Sequence, residues 1–425
     1  MLGAALPAVL REEARFRLLF AGQALSLLGD RISFVVIPFA VLSIGGIADL
    51  GLVTAAAALP FLLVAIPGGS LTDRVGRREV MLVADLVRAA VQLTMAALLI
   101  SGRAEVWMLA ALGACFGTAE AFFGPALNGL IPQTVPGERV QQANALLGLV
   151  ANVGMVLGPT IAGLLLAVTG PGEAIGIDAM TFLISAAALS RLRVTPVAGT
   201  GDAPDPGLLA GLREGWQVVR GTGWMLPGLR ALVAYHVCVL PSIFVLGPAL
   251  AERDLGGATA WAAIATAFGV GAVLGSVVAY RVRFERTLVA CFGAMIVACS
   301  QGLIISSGLG VPVIAVLEAL SGIGVSLFFT LWDTTVQQQV PPEATARVSA
   351  YDWAAAAGLM PIGLALSSPI ASAIGLETTM RLGTATGMVA ALACLAVPAV
   401  RQVRRPPDPE PDYAAAPASG SAPVS

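Results

Sequence analysis

The chain has 425 residues, of which 57% are hydrophobic and only 12% are charged, and its mean hydropathy is +0.86. A soluble globular protein needs more polar surface than this composition supplies, so that class is excluded. The formal net charge is −2, and we expect the lipid bilayer, and no nucleic acid, as the partner of this chain.

The apolar residues fall into about twelve runs of roughly 20 residues, the length that a helix needs to cross a hydrocarbon core about 30 Å thick. The sequence therefore predicts an all-α membrane protein with twelve transmembrane helices. The first run is too long for a cleavable signal and follows Arg11, Arg15 and Arg17, so we expect it to remain as an anchor. The predicted spans are 16–42, 50–72, 79–101, 106–131, 145–169, 173–192, 224–250, 257–280, 287–308, 311–338, 350–374 and 378–400.

Arginines are distributed unevenly between the two sides that this topology creates. Eighteen lie on the side of the two termini, and only Arg103, Arg253 and Arg381 lie on the other. Short cytoplasmic loops carry the positive excess. We therefore expect both termini in the cytoplasm and a multi-pass protein of the inner or plasma membrane.

The apolar pattern stops between 193 and 222 and divides the chain into two six-helix halves, 1–192 and 223–405. Residues 195–207, rich in proline and glycine, are typical of a flexible linker. After them, 212–220 has apolar residues at helical spacing beside arginines, which predicts a short helix on the cytoplasmic surface. The tail, 406–425, is expected to be disordered.

The two halves resemble each other. The six residues 133–138 recur as 338–343, an offset of 205 residues, at the end of the fourth helix of each half. The charged loop at 68–78, which joins the second and third runs, has a degenerate second copy at 275–283. Ala279 or Tyr280 stands there in place of Asp73. Two parallel halves that enclose a site at the membrane midplane are typical of secondary transporters.

The second and third runs are joined by the charged loop, residues 68–78, which contains one acid, three arginines and three glycines. We expect a tight turn there, with charges at the water interface. Its pattern G-x-L-x-D-R-x-G-R-R resembles the loop 2–3 signature of the major facilitator superfamily of secondary transporters. The matching residues are Gly69, Leu71, Asp73, Arg74, Gly76, Arg77 and Arg78. The resemblance implies that the loop holds a cytoplasmic gate through contacts with a helix end of the other half.

The fifth helix carries Gly154, Gly158, Pro159 and Gly163, with Ala162 beside them. Small residues four apart permit close helix packing, and a proline bends a helix. The pattern resembles the fifth-helix motif of proton-driven exporters, with Ala162 at a position that usually has glycine. Stretches at 16–30, 124–132, 143–145, 178–182 and 213–215 look like the drug exporter branch that includes macrolide efflux and siderophore export proteins. This resemblance implies a proton antiporter for bulky amphiphilic molecules.

Ionisable groups at membrane depth are costly, so each is a candidate functional residue. Asp30 and Arg31 lie near the middle of the first helix, and Glu120 lies near the middle of the fourth, which has no arginine. Asp30 can be either a structural ion pair or a coupling residue, and Arg31 points about 100° away from it. Glu120 has no opposite charge within a helical turn, so we expect an uncompensated acid that binds a proton or a cationic substrate.

Other polar residues allow two interpretations. We expect Asp178 and Glu318, near the external helix ends, to be solvated at the interface. His236 is either a buried neutral histidine or a proton relay. Asp85 and Arg88 are predicted to pair three residues apart near the cytoplasmic end and to brace the charged loop. Aromatic residues of helices four and ten either pack or line a substrate cavity: Phe122, Phe123, Phe328, Phe329 and Trp332.

The predicted function is export of small amphiphilic molecules by proton-coupled alternating access, by a protein that we expect to be a monomer. Import, facilitated diffusion, a membrane sensor or a lipid-moving role are the alternatives, because fold does not fix function. No enzyme activity, cofactor or metal is expected. The five cysteines lie within apolar runs without metal-ligand spacing.

Overall fold

All regular elements are helices in the part of the chain that the computed structural model describes, residues 7–194 and 208–404. Only the backbone is described at 61–74, 208–212, 342, 343, 346 and 357. Twelve helices form the bundle: α1 (Ala14–Leu42), α2 (Ile47–Val75), α3 (Arg77–Ile100), α4 (Val106–Leu130), α5 (Val140–Val168), α6 (Pro171–Arg191), α7 (Met225–Leu255), α8 (Ala258–Arg281), α9 (Thr287–Ile305), α10 (Val311–Gln339), α11 (Arg347–Ile374) and α12 (Leu376–Ala396).

Eleven of these helices are long and apolar enough to cross a membrane, and α2, with 29 residues, is the twelfth. The predicted all-α architecture with twelve spans is confirmed. The helix pairings of α1 to α6 recur in α7 to α12: α2 packs on α4 as α8 packs on α10, and α3 packs on α6 as α9 packs on α12. The chain therefore folds as two six-helix repeats.

Two helix pairs make the most extensive contacts between the halves, α5 with α8 and α2 with α11. Thr160 and Thr266 share a hydrogen bond of 3.1 Å between their hydroxyls, and the Ser368 hydroxyl donates to the carbonyl of Ile47 over 2.8 Å. Gly163 lies so close to Ala262 that any side chain at position 163 would displace Ala262. Small residues thus bring the two halves into direct contact.

The two ends of the bundle are packed differently. At the distal side, where α1 ends, buried residues of both halves form one core that includes Val35, Val36, Val245 and Leu364. At the terminal side, where α1 begins and α12 ends, the described buried residues of each half form a separate core. The halves are therefore joined at the distal side and have independent cores at the terminal side.

The charged loop is shorter than the sequence predicts. Helix α2 continues to Val75, α3 begins at Arg77, and only Gly76 stands between them, with φ at 107°. Glycine tolerates this left-handed region because it has no Cβ. The prediction of a turn over 68–78 was wrong in length, because one glycine is sufficient to break the helix.

A short surface helix, Leu208–Gly221, follows the linker and confirms the helix predicted at 212–220. Its Trp216 ring lies 5.6 Å from that of Tyr351, and Glu214 pairs with Arg347 at the beginning of α11. These contacts attach the surface helix to the second half. Residues 195–207 of the predicted linker and the tail 406–425 lie outside the described residues.

Candidate functional site

Two cavities lie within the bundle. The N cavity, about 480 Å³, is lined by polar residues of the first half that include Asp30, Ser33, Gln92 and Glu120. The C cavity, about 220 Å³, is lined by polar residues of the second half: Tyr235, His236, Trp261, Gln301 and Glu318. Arg31, Phe34 and Phe244 line both cavities. The rings of Phe34 and Phe244 meet edge to face, 5.1 Å apart, and so form the partition between the cavities.

Arg88 is the centre of a charge cluster at the wall of the N cavity. Its Nη1 lies 2.5 Å from Oε2 of Glu120 and 3.8 Å from Oδ2 of Asp30, and its Nη2 pairs with Asp85. The guanidinium therefore joins α1, α3 and α4. Arg88 and Asp85 are fully buried, whereas the side chains of Glu120 and Asp30 are 37% and 26% exposed, respectively.

Two aromatic rings enclose the same guanidinium. Its Cζ lies 4.0 Å from the ring centre of Phe123 and 4.5 Å from that of Phe182. Stacking on aromatic faces and pairing with carboxylates are what make a buried arginine tolerable. The cluster holds one cation and three carboxyls, so its formal charge would be −2 if all three were ionised. A site with this excess of acid is suited to holding protons.

The structure corrects two expectations about these residues. Glu120 is not an uncompensated acid, because Arg88 reaches it from the neighbouring helix. The pair of Asp85 and Arg88 exists, but it lies near the middle of α3 and contacts α1 and α4 instead of bracing the charged loop. Sequence reasoning missed this role of Arg88 because spacing along one helix does not show which residues another helix presents.

Asp178 belongs to a second polar group beside the N cavity. Its carboxylate accepts hydrogen bonds from Ser33 and from Gln92, the latter at 2.9 Å, and it is completely buried. The expectation of a solvated interfacial acid was wrong here, because donors from α1 and α3 replace water. A glutamine within the apolar run of α3 was the available sequence signal.

The fifth-helix motif shapes both cavities. Gly154 and Gly158 of α5 lie against Arg31 of α1, and a side chain at position 158 would meet the Arg31 backbone. Pro159 lines the C cavity. The close approach that the glycines permit therefore places Arg31 at the border between the cavities, where the described residues offer it no ion pair.

The C cavity contains a glutamate that the sequence placed at the interface. Glu318 is only 1% exposed, so that expectation was also wrong. Tyr235 and His236 line the cavity from a π-helical turn, Tyr235–Val239, a type of interruption that is frequent at functional sites. His236 is buried, and its Nδ1 lies 2.9 Å from the carbonyl of Leu232.

The aromatic residues of α4 and α10 divide between the two predicted roles. Phe329 lines the C cavity. Phe328 and Trp332 are buried in the core of the second half, and Phe123 packs on Arg88. The structure thus assigns most of them to packing. Among the described residues, no cluster of His, Cys, Asp and Glu side chains has the composition of a metal site.

Two arginines of the charged loop, Arg77 and Arg78, contact carbonyls of their own half. Nη1 of Arg77 donates to the carbonyl of Gly129 over 2.6 Å, and Arg78 donates to the carbonyls of Leu189 and Ser190, both over 2.8 Å. These two residues therefore hold the ends of α4 and α6 on the terminal side, and contacts of the charged loop with the other half stay a prediction. The side chains of Asp73 and Arg74, and those of the residues around Gly69, lie outside the described residues.

Comparison with known proteins gives a family and a set of relatives. The sequence profile of the Major Facilitator Superfamily matches residues 19–357. Macrolide efflux protein A of Streptococcus pyogenes is 25% identical over 400 residues, 92% of this chain and 97% of the relative. The multidrug efflux pump Tap of Mycobacterium tuberculosis is 28% identical over 414 residues, 93% of this chain and 96% of the relative.

Solved structures show the same fold. A mutant of the nucleoside transporter NupG superposes with a TM-score of 0.74 at 12% identity, over 90% of this chain and 99% of that one. A bacterial homologue of the iron transporter ferroportin, in an inward-facing state, superposes with a TM-score of 0.70 at 17% identity, over 92% and 99%. At these identities the likeness concerns the fold alone.

Proposed function

Because the chain belongs to the Major Facilitator Superfamily, we propose that it exports small amphiphilic molecules across the membrane by proton-coupled alternating access. The names of its relatives, a macrolide efflux protein and a multidrug efflux pump, support drug or natural-product export. The observation that carries proton coupling is the cluster of one arginine and three carboxyls at the wall of the N cavity.

The proton is assigned to the exposed members of this cluster. Arg88 can neutralise one carboxyl fully, and the completely buried Asp85, which does not line the cavity, depends on that charge. A proton is therefore assigned to one of the two acids that line the cavity. Glu120 is the best candidate because its side chain is the most exposed of the three and faces the cavity, and Asp30 is the next. A proton that enters or leaves there changes the charge around Arg88, which joins three helices.

Alternating access follows from the packing of the two halves. The shared distal core and the separate terminal cores support a form that is closed at the distal side. With the termini in the cytoplasm, as the arginine distribution predicts, this form receives substrate from the cytoplasm or the inner leaflet. Separation of the distal core as the halves rock would then release substrate outside. Asp73 and Arg74 remain our candidates for the cytoplasmic gate.

The experiment is transport in proteoliposomes that contain the purified full-length protein. A radiolabelled macrolide is loaded into the proteoliposomes, and its movement across their membrane is followed with and without an imposed pH gradient. The proposal expects uphill movement of the macrolide only with the gradient, accompanied by proton movement in the opposite direction. Equilibration at the same rate in both conditions would favour facilitated diffusion, and no movement of the macrolide would remove drug export.

A further inference from the structure

The C cavity contains two buried polar atoms without a hydrogen-bond partner among the described residues. Oε1 of Glu318 is an acceptor, and Nε1 of Trp261 is a donor. Both side chains line the cavity, and they are 1% and 2% exposed. Burying such groups without partners is costly, so their retention in a cavity wall indicates that a ligand supplies the partners.

The surroundings of Glu318 favour a cation. The carboxyl has no ion-pair partner in the described part of the chain, and Gln301 lines the same cavity. Aromatic rings of Phe34, Tyr235, Phe244, Phe268 and Phe329 form the walls around it. Aromatic faces attract an ammonium group, most strongly where water is excluded.

The other ionisable groups of the cavity do not supply this charge. Arg31 lies at the border with the N cavity and is not within ion-pair distance of Glu318. His236 forms no ion pair with Glu318, and its Nδ1 lies 2.9 Å from the carbonyl of Leu232 in its own helix. The site around Glu318 is therefore an acid in an aromatic chamber, whereas the N cavity already contains its own cation, Arg88.

We propose that the C cavity is a binding subsite for a protonated amine that carries a hydroxyl or ether oxygen close by. The ammonium donates to Oε1 of Glu318 and lies against the aromatic walls, and the oxygen accepts from Nε1 of Trp261. This proposal rests on the proposed export function and names the substrate class of the same transporter.

The volumes define how such a molecule lies. A drug-sized ligand needs a pocket of about 300–1,000 Å³. The C cavity alone, about 220 Å³, accommodates only the amino-alcohol part, but the two cavities together offer about 700 Å³. The apolar remainder of the substrate therefore reaches into the N cavity when the rings of Phe34 and Phe244, which form the partition, turn aside. Substrate charge and transported proton are then handled by separate acids, Glu318 and the Arg88 cluster.

The experiment measures equilibrium binding to the full-length protein in lipid nanodiscs. The probes are propranolol, an aryl amino alcohol that is protonated at neutral pH, and its neutral N-acetyl derivative. Glu318→Gln keeps the shape and removes the charge, and we expect it to weaken propranolol binding about tenfold or more and to leave the N-acetyl derivative within about twofold. Trp261→Phe keeps the ring and removes the donor. It should weaken propranolol binding about threefold or more and leave the binding of a third probe, deoxypropranolol, in which hydrogen replaces the hydroxyl, within about twofold.

Glu173→Gln, an exposed acid at the distal end of α6, is the matched control and should bind both probes as the parent does. Equal affinity of Glu318→Gln and the parent for propranolol would overturn the proposal. An equal loss of affinity for both probes would also overturn it, if the variant elutes from size-exclusion chromatography as the parent does. That result would indicate that Glu318 has a packing role. Failure of the export proposal is seen separately, as parent protein that binds propranolol in nanodiscs and moves no macrolide in liposomes.

Discussion

Arg88 of α3 donates from Nη1 to Oε2 of Glu120 on α4 over 2.5 Å, in the middle of the first half. The same nitrogen lies 3.8 Å from Asp30 of α1. One guanidinium thus connects two acids that line the N cavity with the buried Asp85. The stability of this half and the charge of its cavity therefore depend on the same residue.

Replacing Arg88 should destabilise the first half. Arg88→Leu leaves three carboxyls near one another without a cation, and breaking a buried pair costs about 3–5 kcal/mol. We expect a clear fall in the thermal unfolding temperature of the purified protein. The double variant Arg88→Leu/Asp85→Leu removes the buried partner too and should recover part of the loss. A single variant as stable as the parent would contradict the structural role.

Glu120→Gln should uncouple transport without preventing exchange. The amide imitates the protonated acid, so substrate still binds and exchanges across the membrane while uphill efflux driven by a pH gradient stops. Counterflow and gradient-driven efflux of a radiolabelled macrolide in proteoliposomes measure the two activities separately. Asp30→Asn is the comparison, because loss of a structural contact would appear as lower stability. Gradient-driven efflux by Glu120→Gln at the parental rate would move the assignment to Asp30.

Gly158→Val should disrupt the contact between α1 and α5. A Cβ at this position would lie 3.0 Å from the carbonyl carbon of Arg31, and backbone cannot move aside as a side chain can. We expect a strong loss of folded protein in the membrane. Gly148→Val, on the same helix, is the matched control, since the space around Gly148 is open to 4 Å. Equal yields of the two variants in membrane extracts would show that the close approach is unnecessary.

The topology is tested by labelling cysteines in intact cells. With the termini and the linker in the cytoplasm, a thiol at Asp205→Cys should be unreactive towards an impermeant maleimide until the cells are opened. A thiol at Glu105→Cys, between α3 and α4 at the distal side, should react from outside. Cys115 is exposed, so both variants are made in a Cys115→Ser background. The reverse labelling pattern would invert the topology and the direction of transport.

The sequence by itself determined the architecture. Membrane thickness fixes the length of a spanning helix, so twelve apolar runs were visible, and their predicted ends lie within a few residues of most observed ones. The charged loop and the fifth-helix motif indicated the superfamily, because both are local patterns. The candidate functional residues could also be identified, because an acidic residue within a membrane-spanning run differs clearly from its apolar neighbours.

Only the tertiary structure decided how those residues are paired. Glu120 looked unpaired because its cation lies on another helix, and Asp178 looked interfacial because its donors come from α1 and α3. Glu318, by contrast, is enclosed without a cation. From the sequence alone it could not be distinguished from Asp178, because both acids lie near the external end of a predicted helix. Side-chain charge in a membrane depends on contacts across helices, and spacing along one helix carries no information about the face that a neighbouring helix presents.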